Sequence, residues 1–553
     1  MSGAARRVLY LHGGAAFHPS DYGAKILGDI LAKDGRYTLE VTTDLDVLAT
    51  LPDADWDAVV IYTTGYHDEL TPAREAGLVR YVQGGGGLVG IHSAADSFRG
   101  SQAYLDLLGA EFETHPPLQR IPVTIHEDSH YITTRVPEFE VTDELYLLKG
   151  VDLSRELLLA STRWQGKPAP LLFVHPYGEG RVSYLALGHT HETWRDPAFQ
   201  KLLLRSVGWV TGEVAQEGEI RCGILGYGGA FNMGRSHAGW IDAQPGMRTV
   251  AMCDVDPQRV AVAKEELPTL DGYYTDADDL LAHDGLDLVV VILPHNLHAP
   301  LALKCLQAGK HVILEKPMCV TVDEANALID VARERDLMLS VFHNRRWDGD
   351  YQTIQQLIAR GVIGEVFHLE AGIGGYRHPG FWWRSDKAVS GGVLYDWGAH
   401  FVDWMLNLVP SPVAQVMGDL QKRVWHAVTN ADHGEIIIRW ENGVTASFWT
   451  SSIAASVRPK WRILGTQGAI EAPWSGPLQV TSMVKGARHE GTVDVTLPGY
   501  GAEPYYRNVA DHLLFGEALA VTGESARRVI AVIQAAQESA KLGRSVPLAP
   551  GCE

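Results

Sequence analysis

One pattern constrains this chain more than any other. A short β-branched apolar run, a turn and an amphipathic stretch of helical period recur through the first 210 residues, then start again at Ile220. Strands alternating with helices imply parallel sheets covered on both faces, because each crossover is a helix that must bury its apolar stripe. In the first cycle strands are predicted at 8–11, 39–42, 58–63, 88–91, 157–160 and 182–187. Helices are predicted at 22–32, at 72–82 with Thr71 as N-cap and Pro72 at the first position, and at 197–210. A polar linker, 211–219, follows. The second cycle runs from Ile220 to about 342, with Thr321 and Glu324 as a capping box. Beyond 365 longer alternating strands take over, at 364–374, 413–419, 434–440 and 444–450, with a hairpin turn at Glu441-Asn442-Gly443. A helix over 391–408 and two more at 505–519 and 525–542 complete the pattern. The reading is an α/β domain (1–212), a second α/β domain (218–343) and an α+β domain with an open antiparallel sheet (344–553).

Composition narrows the class. The 553 residues fit about three or four domains at ~100–200 residues each. A net charge of −20 and the absence of any run of five basic residues argue against nucleic-acid or membrane-surface partners. No segment approaches the ~20 apolar residues of a membrane span, and no signal core follows the polar first seven residues. The cysteines Cys222, Cys253, Cys305, Cys319 and Cys552 are odd in number and form no C-x-x-C. Reduced core thiols in a cytoplasmic protein are expected.

Gly226-Tyr227-Gly228-Gly229-Ala230-Phe231 follows a predicted strand and opens a helix. Glycines there permit a sharp turn and let a pyrophosphate approach free helical N–H groups. Phe231 stands where the third glycine of that fingerprint usually falls, so an ordinary strand–helix turn is the competing reading. Asp254, at the end of the next strand, is positioned to accept from a ribose diol. Val255-Asp256-Pro257 brings no immediate cation for a 2′-phosphate, which favours NAD over NADP. The alternative for Asp254 is a helix N-cap.

Leu293-Pro294-His295-Asn296-Leu297-His298, the later Glu315-Lys316-Pro317, and the segment Gly391 to Asp403 containing Asp396 and His400 resemble the Gfo/Idh/MocA family of sugar and cyclitol oxidoreductases. The resemblance spans about 220–553. It implies a Rossmann domain holding NAD(P) and an open antiparallel sheet over nicotinamide and substrate. It places Leu293, Pro294, His295, His298 and Glu315 along the cofactor, with Gly226, Gly228, Gly229, Phe231, Asn232 and Met233 at the pyrophosphate. Arg345 would line the nicotinamide side, and Arg346 would form a salt bridge. Lys316 matches the catalytic lysine. His400 takes the role of proton acceptor, with Lys316 and Asp396 orienting and tuning it. An imidazole near its ordinary pKa of ~6.5 suits that work. Asp396 and His400, four apart, would share one helical face. Asp396, His400 and Asp403 are alternatively a metal ligand set, although Asp403 reads as structural. Tyr376, His378, Trp383, Arg384 and Tyr395 form an aromatic and polar cluster suited to a sugar, or else sheet core or an oligomer interface.

In the first domain, Gly84 to Ser97 has the form of a strand entering a nucleophile-elbow turn at His92. With Leu187-Gly188-His189-Thr190-His191 it resembles the ThuA-like family, which shares the flavodoxin-like fold of class I glutamine amidotransferases. No cysteine precedes residue 222, so thiolate amidotransfer is excluded. His12, His18, His92, His115, His189 and His191 fall at or just past predicted strand ends. Their irregular spacing leaves three readings open: a metal site, a sugar-related active site, and a structural role. No residue is assigned as a metal ligand.

The expected function is NAD-dependent oxidation of a secondary hydroxyl on a sugar, glycoside or cyclitol by a homo-oligomer, dimer or tetramer. The alternatives are an NAD-dependent glycoside hydrolase working through transient C3 oxidation, elimination and hydration, and a non-catalytic sugar sensor.

Overall fold

The apolar runs of the first cycle lie side by side, which is why they read as apolar at nearly every position. The computed structural model describes residues 5–66, 68–127, 129–134, 136–213, 219–495, 501–549 and 551–552. It divides into two compact units, Met1–Glu217 and Gly218–Glu553. In the predicted linker, residues 214–218 lie outside the described residues.

The first unit is built on a nine-stranded sheet. Tyr37–Thr42, Arg6–Gly13, Ala58–Thr63, Gly87–Ile91 and Gly180–Leu185 are neighbours in that order, all parallel. Ala58–Thr63 and Gly87–Ile91 are buried at every residue. The expectation of a wholly parallel sheet is corrected beyond Gly180–Leu185. Lys167–Tyr177, Leu157–Trp164, Gln119–Ile125 and Phe139–Asp143 extend it as an antiparallel wing. Pro168, Pro170 and Pro176 obscured Lys167–Tyr177, since proline withholds a ladder N–H; the strand absorbs them with a register shift at Pro170–Leu172. The helices appear as Ser20–Asp34, Pro72–Gln83 capped by Thr71, and Pro197–Val210. At the end of Gly87–Ile91 the chain turns sharply: His92 has φ 45°, the left-handed region that non-glycine residues rarely occupy.

The second unit holds two sheets. The first is parallel throughout, ordered Gly272–Tyr274, Met247–Cys253, Ile220–Leu225, Leu288–Val291, His311–Leu314, Leu339–Val341. Strand order reverses between Ile220–Leu225 and Leu288–Val291, and doubly wound sheets bind ligands at that switch point. The backbones crowd there. Gly226 has φ 105°, and a Cβ on it would sit 2.0 Å from the Ile292 carbonyl oxygen, so only glycine fits. The predicted capping box, Thr321 with Glu324, opens Val322–Glu334.

The second sheet has eight strands: Val413–Gln421, His433–Trp440, Thr445–Ser451, Val366–Gly374, Trp461–Gly465, Gly468–Ala472, Leu478–Val484, Ala487–Val493. It is mixed rather than purely antiparallel, because Val366–Gly374 pairs parallel with Thr445–Ser451. The helix predicted over 391–408 is broken. Val393–Tyr395 forms a short 3₁₀ turn, and the α-helix starts only at Gly398, running to Leu408. Two late helices, Ala502–Phe515 and Gly523–Leu542, return to the parallel-sheet half. The Tyr506 hydroxyl lies 2.5 Å from His237 Nδ1, Tyr505 bonds Ser340 at 2.7 Å, and Gln534 accepts from the Val322 N–H. All five cysteines are free and buried. Among the described residues no helix is long and apolar enough to cross a membrane.

Candidate active site and a histidine pocket

In the second unit the switch point opens into a cleft of about 490 Å³. Gly228, Gly229, Phe231, Met233, Leu293, Pro294, His295, Glu315, Lys316, Arg345, Trp383, Arg384, Asp396 and His400 line it. All of these were singled out in the sequence. Phe342, Asn344 and Trp397, with Ala230 and Ile292, complete the wall.

The glycine loop suits a dinucleotide. Nothing lies within 4 Å of a Cβ position on Gly228, so an approaching group meets open space. Asp254, past the end of Met247–Cys253, accepts from the Tyr227 N–H at 2.6 Å and the Asp256 N–H at 3.0 Å. The helix N-cap is Asp256, which bonds the Gln258 N–H, so the capping role does not fall to Asp254. Sequence reasoning missed Arg259. Its Nε donates to the Tyr227 carbonyl at 2.7 Å, beside Gly229. The available signal was its place in the first turn of Pro257–Glu266, the helix that follows Asp254. Asn232 turns away from the cleft, bonding Glu266.

At the cleft floor Lys316 Nζ donates to Asp396 Oδ1 at 2.7 Å and to the Asp396 carbonyl at 3.2 Å. Arg384 Nη1 lies 3.1 Å from both Asp396 oxygens. The Arg384 guanidinium is itself enclosed by Phe231, Trp382 and Trp383, about 5 Å from each ring centroid. Burial alone would raise the Asp396 pKa, but Lys316 and Arg384 outweigh it and hold the carboxyl well below the usual range. Asp396 is not on the helix with His400; it follows the 3₁₀ turn, and His400 sits in the first turn of Gly398–Leu408. Both reach the cleft. Asp396 therefore holds the lysine ammonium rather than the imidazole. His400 Nδ1 is buried without a hydrogen-bond partner. Burial, then the charges of Lys316 and Arg345, push the His400 pKa well below the ordinary imidazole value, which corrects the expectation of an unperturbed base.

Several residues brace the cleft. Glu315 accepts from His237 at 3.1 Å and from the Lys316 N–H at 2.9 Å. His295 bonds the Ser390 carbonyl, and Arg345 pairs with Asp348 over the Trp397 ring. His298 lies behind the cleft, its ring nitrogens 2.7 and 2.8 Å from the Pro317 and Leu293 carbonyls. Asp403 is taken up by Arg346 in a buried two-point pair, as the structural reading expected. Three members of the aromatic cluster lie elsewhere. Tyr395 is buried and donates to the Val320 carbonyl, whereas Tyr376 and His378 pack on Trp425.

In the first unit the structure sorts the six histidines. His18, His92 and His189 converge with Glu144, each offering one ligand atom, and all four atoms lie within 4.8 Å of one another. His115 stands beside them, 3.6 Å from the other Glu144 oxygen and half exposed. His12 bonds Ser20, and His191 stacks on Tyr22, so neither joins the group. Glu144 escaped sequence reasoning because it follows Phe139–Asp143, a strand of the unforeseen wing. Burial, then His92 and His189, push the His18 pKa down to about 3.

A parallel sheet with a glycine cradle and an acidic strand end, facing a lysine, a carboxylate and a neutral imidazole, defines an NAD(P)-binding oxidoreductase. The NAD-binding Rossmann model of the Gfo/Idh/MocA oxidoreductases matches residues 220–343, and the family's C-terminal domain matches 351–471. The ThuA model, described as trehalose utilisation, matches 7–210. The chain belongs to the Gfo/Idh/MocA oxidoreductase family and carries an N-terminal ThuA domain. It is 27% identical over 352 residues to a scyllo-inositol 2-dehydrogenase (NADP(+)) of Bacillus subtilis, covering 60% of this chain and 96% of that protein. A solved NAD-binding protein from Listeria innocua is 30% identical with a TM-score of 0.54, covering 60% and 97% respectively. A glycosyl hydrolase family 109 protein of Shewanella pealeana is 30% identical over 161 residues, 28% of this chain and 34% of that protein.

Proposed function

We propose that the protein is an NAD-dependent dehydrogenase oxidising a secondary hydroxyl of a sugar, glycoside or cyclitol. The observation that carries this reading is the pairing of Lys316, Asp396 and Arg384 in the cleft that His400 also lines. NAD bound at the glycine loop supplies the hydride acceptor. His400, neutral at working pH, takes the hydroxyl proton. Lys316, held by Asp396, presents its ammonium to the substrate oxygen and stabilises the charge that develops as the carbonyl forms. Trp383 and Trp397 offer apolar faces to sugar C–H surfaces, and Arg384 is a donor to a ring hydroxyl. Asp254, accepting from the ribose diol, supports NAD over NADP.

The test is a panel of inositols, aldoses and aryl glycosides, with reduced nicotinamide and released aglycone followed together. Stoichiometric reduced cofactor without aglycone release is the expected result. Aglycone release with only catalytic cofactor would replace this reading with the glycosidase of the same family. No turnover of either kind and no sugar-dependent change in cofactor affinity would overturn both.

A further inference from the structure

The first unit holds a site that hydride transfer does not use. We infer that His18, His92, His189 and Glu144 bind a divalent transition-metal ion, with zinc the best match.

Spacing is the first argument. His189 Nδ1 lies 3.3 Å and His92 Nε2 lies 3.6 Å from the same Glu144 oxygen. Ligands about 2.0–2.1 Å from a tetrahedral zinc are separated by about 3.3–3.4 Å. The two nitrogens sit where ligands of one ion would sit, and 3.6 Å is too long for a hydrogen bond.

Tautomers are the second. His92 Nδ1 is 2.7 Å from the Ala186 carbonyl, which can only accept, so Nδ1 carries the proton and Nε2 a lone pair. That Nε2 is buried, in a residue with no exposure, and has no hydrogen-bond partner. His18 repeats the outer bond: its Nδ1 lies 2.7 Å from Thr64 Oγ1, whose own proton goes to Ser93. His18 Nε2 then faces inward, 3.2 Å from the Tyr146 hydroxyl. His189 Nδ1 is also buried and unpartnered. Outer bonds that fix the tautomer, as at His92 and His18, are the usual support of metal-bound histidine; the inner nitrogens of His92 and His189 are bare, and that of His18 would exchange the Tyr146 hydroxyl for the ion.

The frame is rigid. Asp143, fully buried, accepts from the N–H groups of Gly188, His189 and Thr190 at 2.8, 3.0 and 3.2 Å, clamping the loop that carries His189 beside Glu144. His92 sits on its sharp turn at φ 45°. Glu144 pairs with histidines alone: among the described residues no lysine or arginine reaches it. A largely enclosed carboxylate among imidazoles is the electrostatic complement of a cation. Three nitrogens and one oxygen favour zinc-like ions over magnesium or calcium, which take oxygen sets. The Glu144 and His189 side chains are 14% and 16% exposed, so the ion would face solvent on one side and keep a position for water or a substrate oxygen.

The test uses untagged full-length protein, incubated with zinc, desalted and analysed by elemental mass spectrometry. About one zinc per chain is expected, and cobalt(II) in its place should give a visible d–d band. His189→Asn with Glu144→Gln should abolish both signals while cofactor binding in the other unit and far-ultraviolet dichroism stay unchanged. Asp143→Asn should weaken zinc binding about 10–100-fold as a positioning change. Should the double variant misfold, His18→Gln takes its place with the same readouts. A wild-type chain that retains no ion after loading, or a folded variant that retains it in full, would overturn the assignment.

Discussion

Replacing Lys316 by methionine removes the ammonium while keeping most of the side chain's length, and it should change two measurements at once. The lysine shares Asp396 with Arg384, at 2.7 and 3.1 Å. Breaking a buried pair costs ~3–5 kcal/mol when the remaining charge is stranded. Here Arg384 still spans both carboxylate oxygens, so we expect roughly a third of that figure in fold stability. The chemical step should suffer more. Losing a positioned donor at a developing oxyanion typically costs ~10²–10³ in turnover, or ~2.7–4 kcal/mol. The second measurement is the pH profile. His400 accepts a proton only when neutral, so the rate is flat above its pKa and falls as pH drops through it. Lys316 is one of the charges that hold this pKa down. Wild type should therefore keep its rate as pH falls below the ordinary imidazole value of ~6.5, while the acid limb of Lys316→Met should shift upward, toward that value. Single-turnover hydride transfer across a pH series reads both effects. A variant within about threefold of wild-type rate, with an unmoved acid limb, would refute the role given to Lys316.

Three further outcomes are expected. His400→Asn should lower turnover ~10²–10⁴-fold with NAD affinity nearly unchanged by fluorescence titration, and a wild-type rate would remove His400 from the chemistry. Asp254→Ala should weaken NAD about tenfold and narrow any preference over NADP in calorimetric titration, the loss of a charged hydrogen bond being worth ~1.5–3 kcal/mol. Tighter NADP binding by the wild type would instead point to Arg259 as a 2′-phosphate ligand. Asp403→Asn strands Arg346 in the core, and urea unfolding should show a loss of ~3–5 kcal/mol. Equal stability would mean that the buried pair contributes nothing.

Much of the active site was readable because its residues are tied to chain geometry. Gly226, Asp254 and Lys316 each follow a parallel strand, and strand ends are where such sheets place ligands. What could not be read depends on facing and on breaks. Tyr395 shares its aromatic character with Trp397, yet the 3₁₀ turn points the first into the core and leaves the second on the cleft; nothing in the residue types marks that break. Asp396 and His400 reach one cleft although the continuous helix expected to align them does not exist. The histidine pocket was half legible. Its imidazoles follow predicted strands or turns, whereas Glu144 follows an antiparallel strand that the helix–strand alternation did not announce.

The late helices have a consequence for the order in which the molecule is made. His237 meets Tyr506 across 269 residues of sequence, and Val322 meets Gln534 across 212. Contacts so distant in sequence are slow to form, because the loop must close before any contact rewards it. On the ribosome the first unit emerges with every strand of its nine-stranded sheet before the second unit begins. The glycine loop and its strands emerge next, with Glu315, His237 and Phe342 all in that half, but the second ring nitrogen of His237 gains its Tyr506 partner only once Ala502–Phe515 is made. The residues that brace the cofactor cleft thus draw part of their support from the last helices of the chain to be made.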